Sequence, residues 1–242
     1  STFTFESGVS LTEYAEFPLY VHLKHTSSKG SIDFQRSGET QVGLTGTYTL
    51  PHYILDAQMI LDRHKYYYYG YNHQLYDYSN TDIKQTFTNF GISTAIRPLQ
   101  KNRHDIEYKA TLYAGIYADK FQANESNIRL SVPMSKQIDH DLSVGLQVDA
   151  DINAYNVRGL LMQTNSQISL KPSLTYLWNE ATFHIGISPT LGKEFHLLPD
   201  VTVQYPLSRI NSIVSAGWQS NLQLNTFKEL TTLNPFMFNY AK

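Results

Sequence analysis

The stretch Asp105-Ile106-Glu107-Tyr108-Lys109-Ala110-Thr111-Leu112-Tyr113-Ala114-Gly115-Ile116-Tyr117-Ala118-Asp119 holds a strict two-residue period. Ile106, Leu112 and Ile116 fall on one side, and Glu107, Lys109 and Asp119 on the other. A strand turns successive side chains to opposite faces, so one face is apolar and the other wet. Past Gln122 to Glu125 the pattern resumes with Ile128, Leu130, Val132 and Met134 against Arg129, Ser131 and Ser135. After Asp139-His140-Asp141 a third run sets Leu142, Val144, Leu146, Val148 and Ile152 against Ser143, Gly145, Gln147, Asp149 and Asp151. At about 3.3 Å per residue such strands reach roughly 40 to 50 Å, whereas strands of water-soluble domains usually stop near about 20 Å.

Two all-β architectures produce alternation, with the apolar face in opposite places. A sandwich buries it between two sheets; a transmembrane barrel turns it outward to lipid and keeps the polar residues inside. Strand length favours the barrel. The alternative is a soluble secreted β-sandwich or adhesin.

Working outward, alternation recurs before and after this core. Phe3 and Phe5 open a short strand; Phe17, Leu19, Val21 and Leu23 form the next; Val42 and Leu44, then Tyr53, Leu55, Ala57, Met59 and Leu61, form a hairpin at Pro51-His52. Phe90, Ile92 and Ile96 follow, then Ile168, Leu170 and Leu174, Phe183, Ile185 and Ile187, and Val201, Val203 and Tyr205. A last run holds Val214, Ala216, Trp218, Leu222 and Leu224. No helical period is read anywhere. The chain is expected to be one domain over residues 1–242: an antiparallel up-and-down transmembrane β-barrel of about 12 to 14 strands, incomplete at one or both ends.

The connections alternate. Pro51-His52, Gln100 to Arg103, Asp139 to Asp141, Trp178 to Glu180 and Ser208 to Ile210 read as tight, whereas Ser27 to Arg36, Tyr69 to Thr81, Gln122 to Glu125, Tyr155 to Leu160 and Lys193 to Leu197 read as longer on average. Short turns on one rim and long loops on the other suit an outer-membrane barrel, with the tight turns toward the periplasm.

Bulk properties exclude other classes. Net charge is -2 with 17% charged residues and no Lys/Arg cluster, so nucleic acid is not an expected partner. Cysteine is absent. No uninterrupted apolar run approaches about 18 residues, a test that barrel strands escape.

The wet face supplies the candidate inward residues Glu107, Lys109, Arg129, Gln147, Asp149, Asp151, Lys171 and His184. Tyr66, Tyr67, Tyr68, Tyr69, Tyr71, Tyr76 and Tyr78 crowd one loop region. Tyrosine has an apolar body and a wet tip, which suits a membrane-interface girdle or, in the adhesin reading, a loop that stacks on glycan. Asp149-Ala150-Asp151-Ile152-Asn153 spaces oxygens like a calcium loop, but the sixth-position Gly is missing and Leu160 stands where the twelfth-position Glu belongs. No Ser–His pair, phosphate loop or metal-ligand spacing singles itself out, so neither catalysis nor a cofactor is expected. Gly43, Gly91, Gly115, Gly145, Gly186 and Gly217 all fall on the polar face, which suggests wall curvature or a close approach from inside.

The run Leu19 to Gly30, the strand Val42 to Tyr48, the Tyr66 to Tyr71 cluster and Leu233-Asn234-Pro235-Phe236 resemble Bacteroidota outer-membrane β-barrel proteins of the TonB-dependent-receptor-like type. The resemblance spans most of the chain and implies an outer-membrane location, lipid as the surrounding partner, and a non-enzymatic role as passive channel or as scaffold beside envelope proteins that complete or plug the barrel. Neither a plug domain nor a TonB-contacting segment is visible, and the strands fall short of the roughly 22 of an outer-membrane transporter, so driven uptake is not implied.

Overall fold

The computed structural model describes residues 1–12, 17–100, 103–157 and 162–236. The link around Tyr14 to Glu16, part of the Gln100 to Arg103 turn, Leu160 and residues 237–242 lie outside these.

The strands are β1 (Thr2–Leu11), β2 (Leu19–Lys29), β3 (Arg36–Thr49), β4 (Tyr53–Tyr67), β5 (Lys84–Pro98), β6 (Ile106–Tyr108), β7 (Ala110–Asp119), β8 (Asn124–Gln137), β9 (Leu142–Asn156), β10 (Gln163–Trp178), β11 (Ala181–Leu191), β12 (Phe195–Leu207) and β13 (Ser212–Gln219). They make one antiparallel up-and-down sheet in which each strand pairs with its sequence neighbours, β6 lying off the main path against β8. β6 and β7 are one run, since Tyr108 faces Met134 and Thr111 faces Ser131 in a single register. The break at Lys109 lies opposite Pro133, which lacks an N–H; only the Lys109 N–H to Pro133 O bond at 3.2 Å remains there.

β1 and β13 do not pair with each other, so the sheet is not closed into a barrel. No second sheet faces it among the described residues, and the sandwich architecture is not what the chain forms.

Three expectations are corrected. The opening strand is not short, because β1 runs to Leu11 through Ser7, Val9 and Ser10, which keep the alternation. β13 stops at Gln219, so Leu222 and Leu224 are not in a strand. A helix does occur: α1 (Phe227–Leu233) starts at a capping box in which Thr226 accepts from the Glu229 N–H and Glu229 accepts from the Thr226 N–H.

The rims alternate as the meander requires, but their contrast is weaker than the turn residues suggest. The β10–β11 turn has only residues 179–180, with Asn179 at φ 55, a left-handed conformation that Asn tolerates. Residues 99–105 separate β5 from β6, with 101–102 of the Gln100 to Arg103 turn outside the described residues; the β11–β12 connection, on the long-loop rim, is only 192–194. The longest connection on that rim is the loop 68–83.

Candidate functional site: the inner face and its C-terminal strap

Exposure separates the two faces. Ile116 is 57% exposed, Ile152 51% and Ile185 54%, whereas Gln85, Asn89 and Asn153 on the opposite face are at most 4%. Polar residues are covered and aliphatic ones bare, the reverse of a water-soluble domain. Leu112 and Leu146 lie on the bare face, as the alternation predicts.

What covers the polar face is the chain's own end. After β13 residues 220–226 run without regular structure along the inside of β10, where Gln167 Nε2 donates to Leu222 O at 3.3 Å. α1 then packs on β5, β7 and β9: Phe227 meets Phe87, Tyr117 and Tyr155 at ring-centroid distances of 6.4, 5.5 and 5.0 Å. Phe87, Tyr117, Ala123, Val157 and Phe227 form the buried apolar cluster. The Tyr117 and Thr231 hydroxyls are 2.7 Å apart, and the Phe227 N–H donates to the Glu125 carboxylate. Phe236 reaches Tyr66, Tyr68 and Tyr69. This strap thus crosses the inner face from β10 to β4.

The predicted inward residues do share that face, and six of them join polar clusters. Arg129 Nε lies 2.9 Å from Asp151, which also accepts from Asn127 Nδ2 at 2.6 Å. Lys171 Nζ is 2.9 Å from Asp149, which accepts from Gln147 Nε2 at 2.9 Å and Ser131 Oγ at 2.6 Å. His184 sits between Thr175 at 3.0 Å and Asp200 at 3.3 Å. Glu107 and Lys109 face the same way by register but stay exposed toward the turn rim. Because Asp149 and Asp151 are occupied by an ammonium and a guanidinium, the spaced oxygens serve ion pairs across strands, not a calcium loop.

The candidate inward residues left out the middle of this site. Asn89 Nδ2 donates to Asp62 at 2.9 Å, and Glu125 and Asn127 are buried beside the strap. Between α1 and the wall lies a cavity of about 610 Å³ whose lining includes Tyr113, Asn127, Arg129, Gln223, Lys228 and Glu229. Burial holds the Lys228 ammonium below its usual pKa. The signal for the helix was present as Thr226-x-x-Glu229, but its seven residues are too few to show a period.

The tyrosines divide. Tyr66 and Tyr67 belong to β4 and not to the loop, Tyr66 turning inward to Phe87 and Tyr67 outward beneath Arg36. Tyr71, Tyr76 and Tyr78 pack on one another in the loop, with Tyr71 also on His73 at 4.1 Å. Nearby, Ser79 donates through N and Oγ to Asp82, holding that carboxyl below its usual pKa. Outward aromatics stand on both rims: Tyr48, Tyr53, Tyr176, Trp178 and Tyr205 are exposed at the turn-rim ends of their strands, and Phe3, Phe195 and Trp218 at the long-loop ends.

Charge is partitioned as sharply as polarity. Every carboxylate within a strand lies on the inner face by register: Glu6, Glu39, Asp56, Asp62, Glu107, Asp119, Glu125, Asp149, Asp151 and Asp200. The charged strand residues on the outer face, Lys29, Arg36, Arg63, Lys65, Lys84 and Lys136, are all basic.

No family model matches the chain, and neither a curated protein nor a solved structure does.

Proposed function

We propose that this chain forms the wall of an outer-membrane β-barrel that acts as a scaffold subunit in the envelope, its interior filled by its own C-terminal strap. The observation that carries the reading is the inversion of polarity: covered Gln85, Asn89 and Asn153 against bare Ile116, Ile152 and Ile185. In water that arrangement wastes the hydrophobic effect, while in hydrocarbon it satisfies both faces. The outward aromatics on both rims and the absence of strand carboxylates from the outer face support it further. The strap favours a plugged scaffold over an open passive channel, since α1 stands against β5, β7 and β9. Lipid surrounds the wall, and other envelope proteins are the partners that would line or complete the unpaired edges of β1 and β13. No catalytic role is proposed.

Flotation with phosphatidylcholine vesicles tests the reading. Purified protein should float with the vesicles and resist carbonate extraction; a protein that stays monodisperse in buffer without detergent removes the membrane assignment. Planar-bilayer recording then separates scaffold from channel, with little conductance expected while the strap is in place.

A further inference from the structure

Resting on the membrane reading, we propose that the outer face of β2–β4 at the long-loop rim is a headgroup site for a phosphate-bearing lipid. Four cross-strand rows stack there. Leu23, Val42 and Leu61 form an apolar row; the next is His25, Thr40 and Arg63, then Ser27, Gly38 and Lys65, then Lys29, Arg36 and Tyr67. Rows on one face are two residues apart, about 7 Å, so the surface passes from aliphatic to basic within one step along the strands. Lys84, opposite Tyr67, extends the last row onto β5.

The basic rows are built into a groove of about 410 Å³ lined by His25, Ser27, Lys29, Arg36, Thr40 and Lys65. Gly38 forms its floor, because a Cβ there would meet no heavy atom within 4 Å and would stand in the open groove. His25 Nδ1 and Thr40 Oγ1 are 2.9 Å apart, and the Arg36 guanidinium stands over the Tyr67 ring at 6.0 Å from its centroid. Arg36, Lys29 and Lys65 have no carboxylate within 4 Å among the described residues, since the strand carboxylates are all on the other face.

Unpaired cations gathered above an aliphatic row match one kind of occupant. A lipid carries its anion directly above its acyl chains, so a phosphate in the groove places the chains on Leu23, Val42 and Leu61. An acidic protein segment would satisfy the charges but leave the aliphatic row bare. A bisphosphorylated lipid such as lipid A offers more than one anion to the three cations, and the Arg36 fork suits bidentate phosphate contact.

The test uses the whole chain in an uncharged detergent, with native mass spectrometry reading retention of lipid A, of its dephosphorylated form, and of lipid A in the presence of excess inorganic phosphate. The protein should retain lipid A and release the dephosphorylated form. Each cation near an anionic headgroup contributes about fivefold, so K29Q/R36Q/K65Q should weaken retention roughly a hundredfold. K136Q, an outward charge near the other rim, should change nothing. Equal retention of both lipid forms, or a triple variant that keeps its strand circular dichroism and binds as before, overturns the proposal. Complete displacement by inorganic phosphate, or retention of an acidic peptide in preference to lipid A, also overturns it. Insertion into phosphatidylcholine vesicles separates the outcomes: a protein that inserts without discriminating sinks only the headgroup site, and one that does not insert sinks the membrane reading as well.

Discussion

The inward glycines are alike in sequence and differ in what surrounds them. A side-chain carbon at Gly217 would lie 2.6 Å from the Val201 carbonyl oxygen and 3.1 Å from the Thr202 backbone, so β13 lies against β12 only because the side chain is absent. At Gly43 the nearest atom would be 3.9 Å away. Gly217→Ala should therefore cost about 1–3 kcal/mol by overpacking. Gly43→Ala should be neutral or stabilising by about 0.4–1 kcal/mol. Detergent-solubilised thermal unfolding distinguishes them; equal losses would return both to a curvature role. The turn residue His140 gives a second residue-scale prediction. Its Nδ1 lies 2.7 Å from Asp141, and this contact, with Asp139 nearby, raises its pKa above the ordinary histidine value. A raised histidine pKa stabilises the fold below the unfolded-state value and loses that contribution as pH rises through the folded one. An NMR titration should place the His140 midpoint above that of a free histidine, and Asp141→Asn should bring it back down.

Among the elements, the strap concentrates the packing. Phe227 is 7% exposed and completes the buried aromatic cluster, so Phe227→Ala should cost about 3–5 kcal/mol of docking. Hydrogen exchange in residues 220–236 should rise while β8 and β9 stay protected. Loss of protection throughout would mean that the strap and the sheet fold as one unit. Thr226→Ala removes a cap and should cost about 1 kcal/mol, with the same local signature. On the strands, Leu146→Arg should destabilise the membrane-inserted protein by roughly 2 to 4 kcal/mol, while the same change at neighbouring Gln147 should cost little. Equal costs at the two positions would remove the distinction between the faces.

For the whole molecule, the decisive relation is between the strap and the wall. Deleting residues 220–236 uncovers the buried polar groups of β5, β8 and β9, among them Asn89, Asn127 and Asn153. In a planar bilayer the shortened protein should conduct where the full chain does not. Cation selectivity is expected, because the strand carboxylates line the inner face and the outward strand cations do not. Conductance equal to that of the full chain would make the strap a bystander, and anion selectivity would contradict the charge partition.

Much of the wall was legible in the chain itself. A two-residue period is enforced by the backbone at every residue, so the run from Ile106 to Ala154 disclosed its strands and the shared face of Arg129, Asp149 and Asp151, whereas the pairs Arg129–Asp151 and Asp149–Lys171 were set by the register of the folded sheet. Length separated barrel-like strands from those of a sandwich, because a sandwich core has no use for so long a strand. The strap was not legible: α1 holds fewer than two full turns by its seven residues, and Leu222 and Leu224 imitate a continuation of the last strand. Its place is decided by contacts between residues more than a hundred positions apart, such as Tyr117 with Thr231 and Glu125 with Phe227, which no local pattern encodes. The same holds for the two tyrosine environments, since Tyr66 and Tyr67 are adjacent and identical until the sheet turns one toward Phe87 and the other toward Arg36. Periodicity fixes the side on which a residue lies, and only the folded sheet and the segment lying across it decide what that residue meets there.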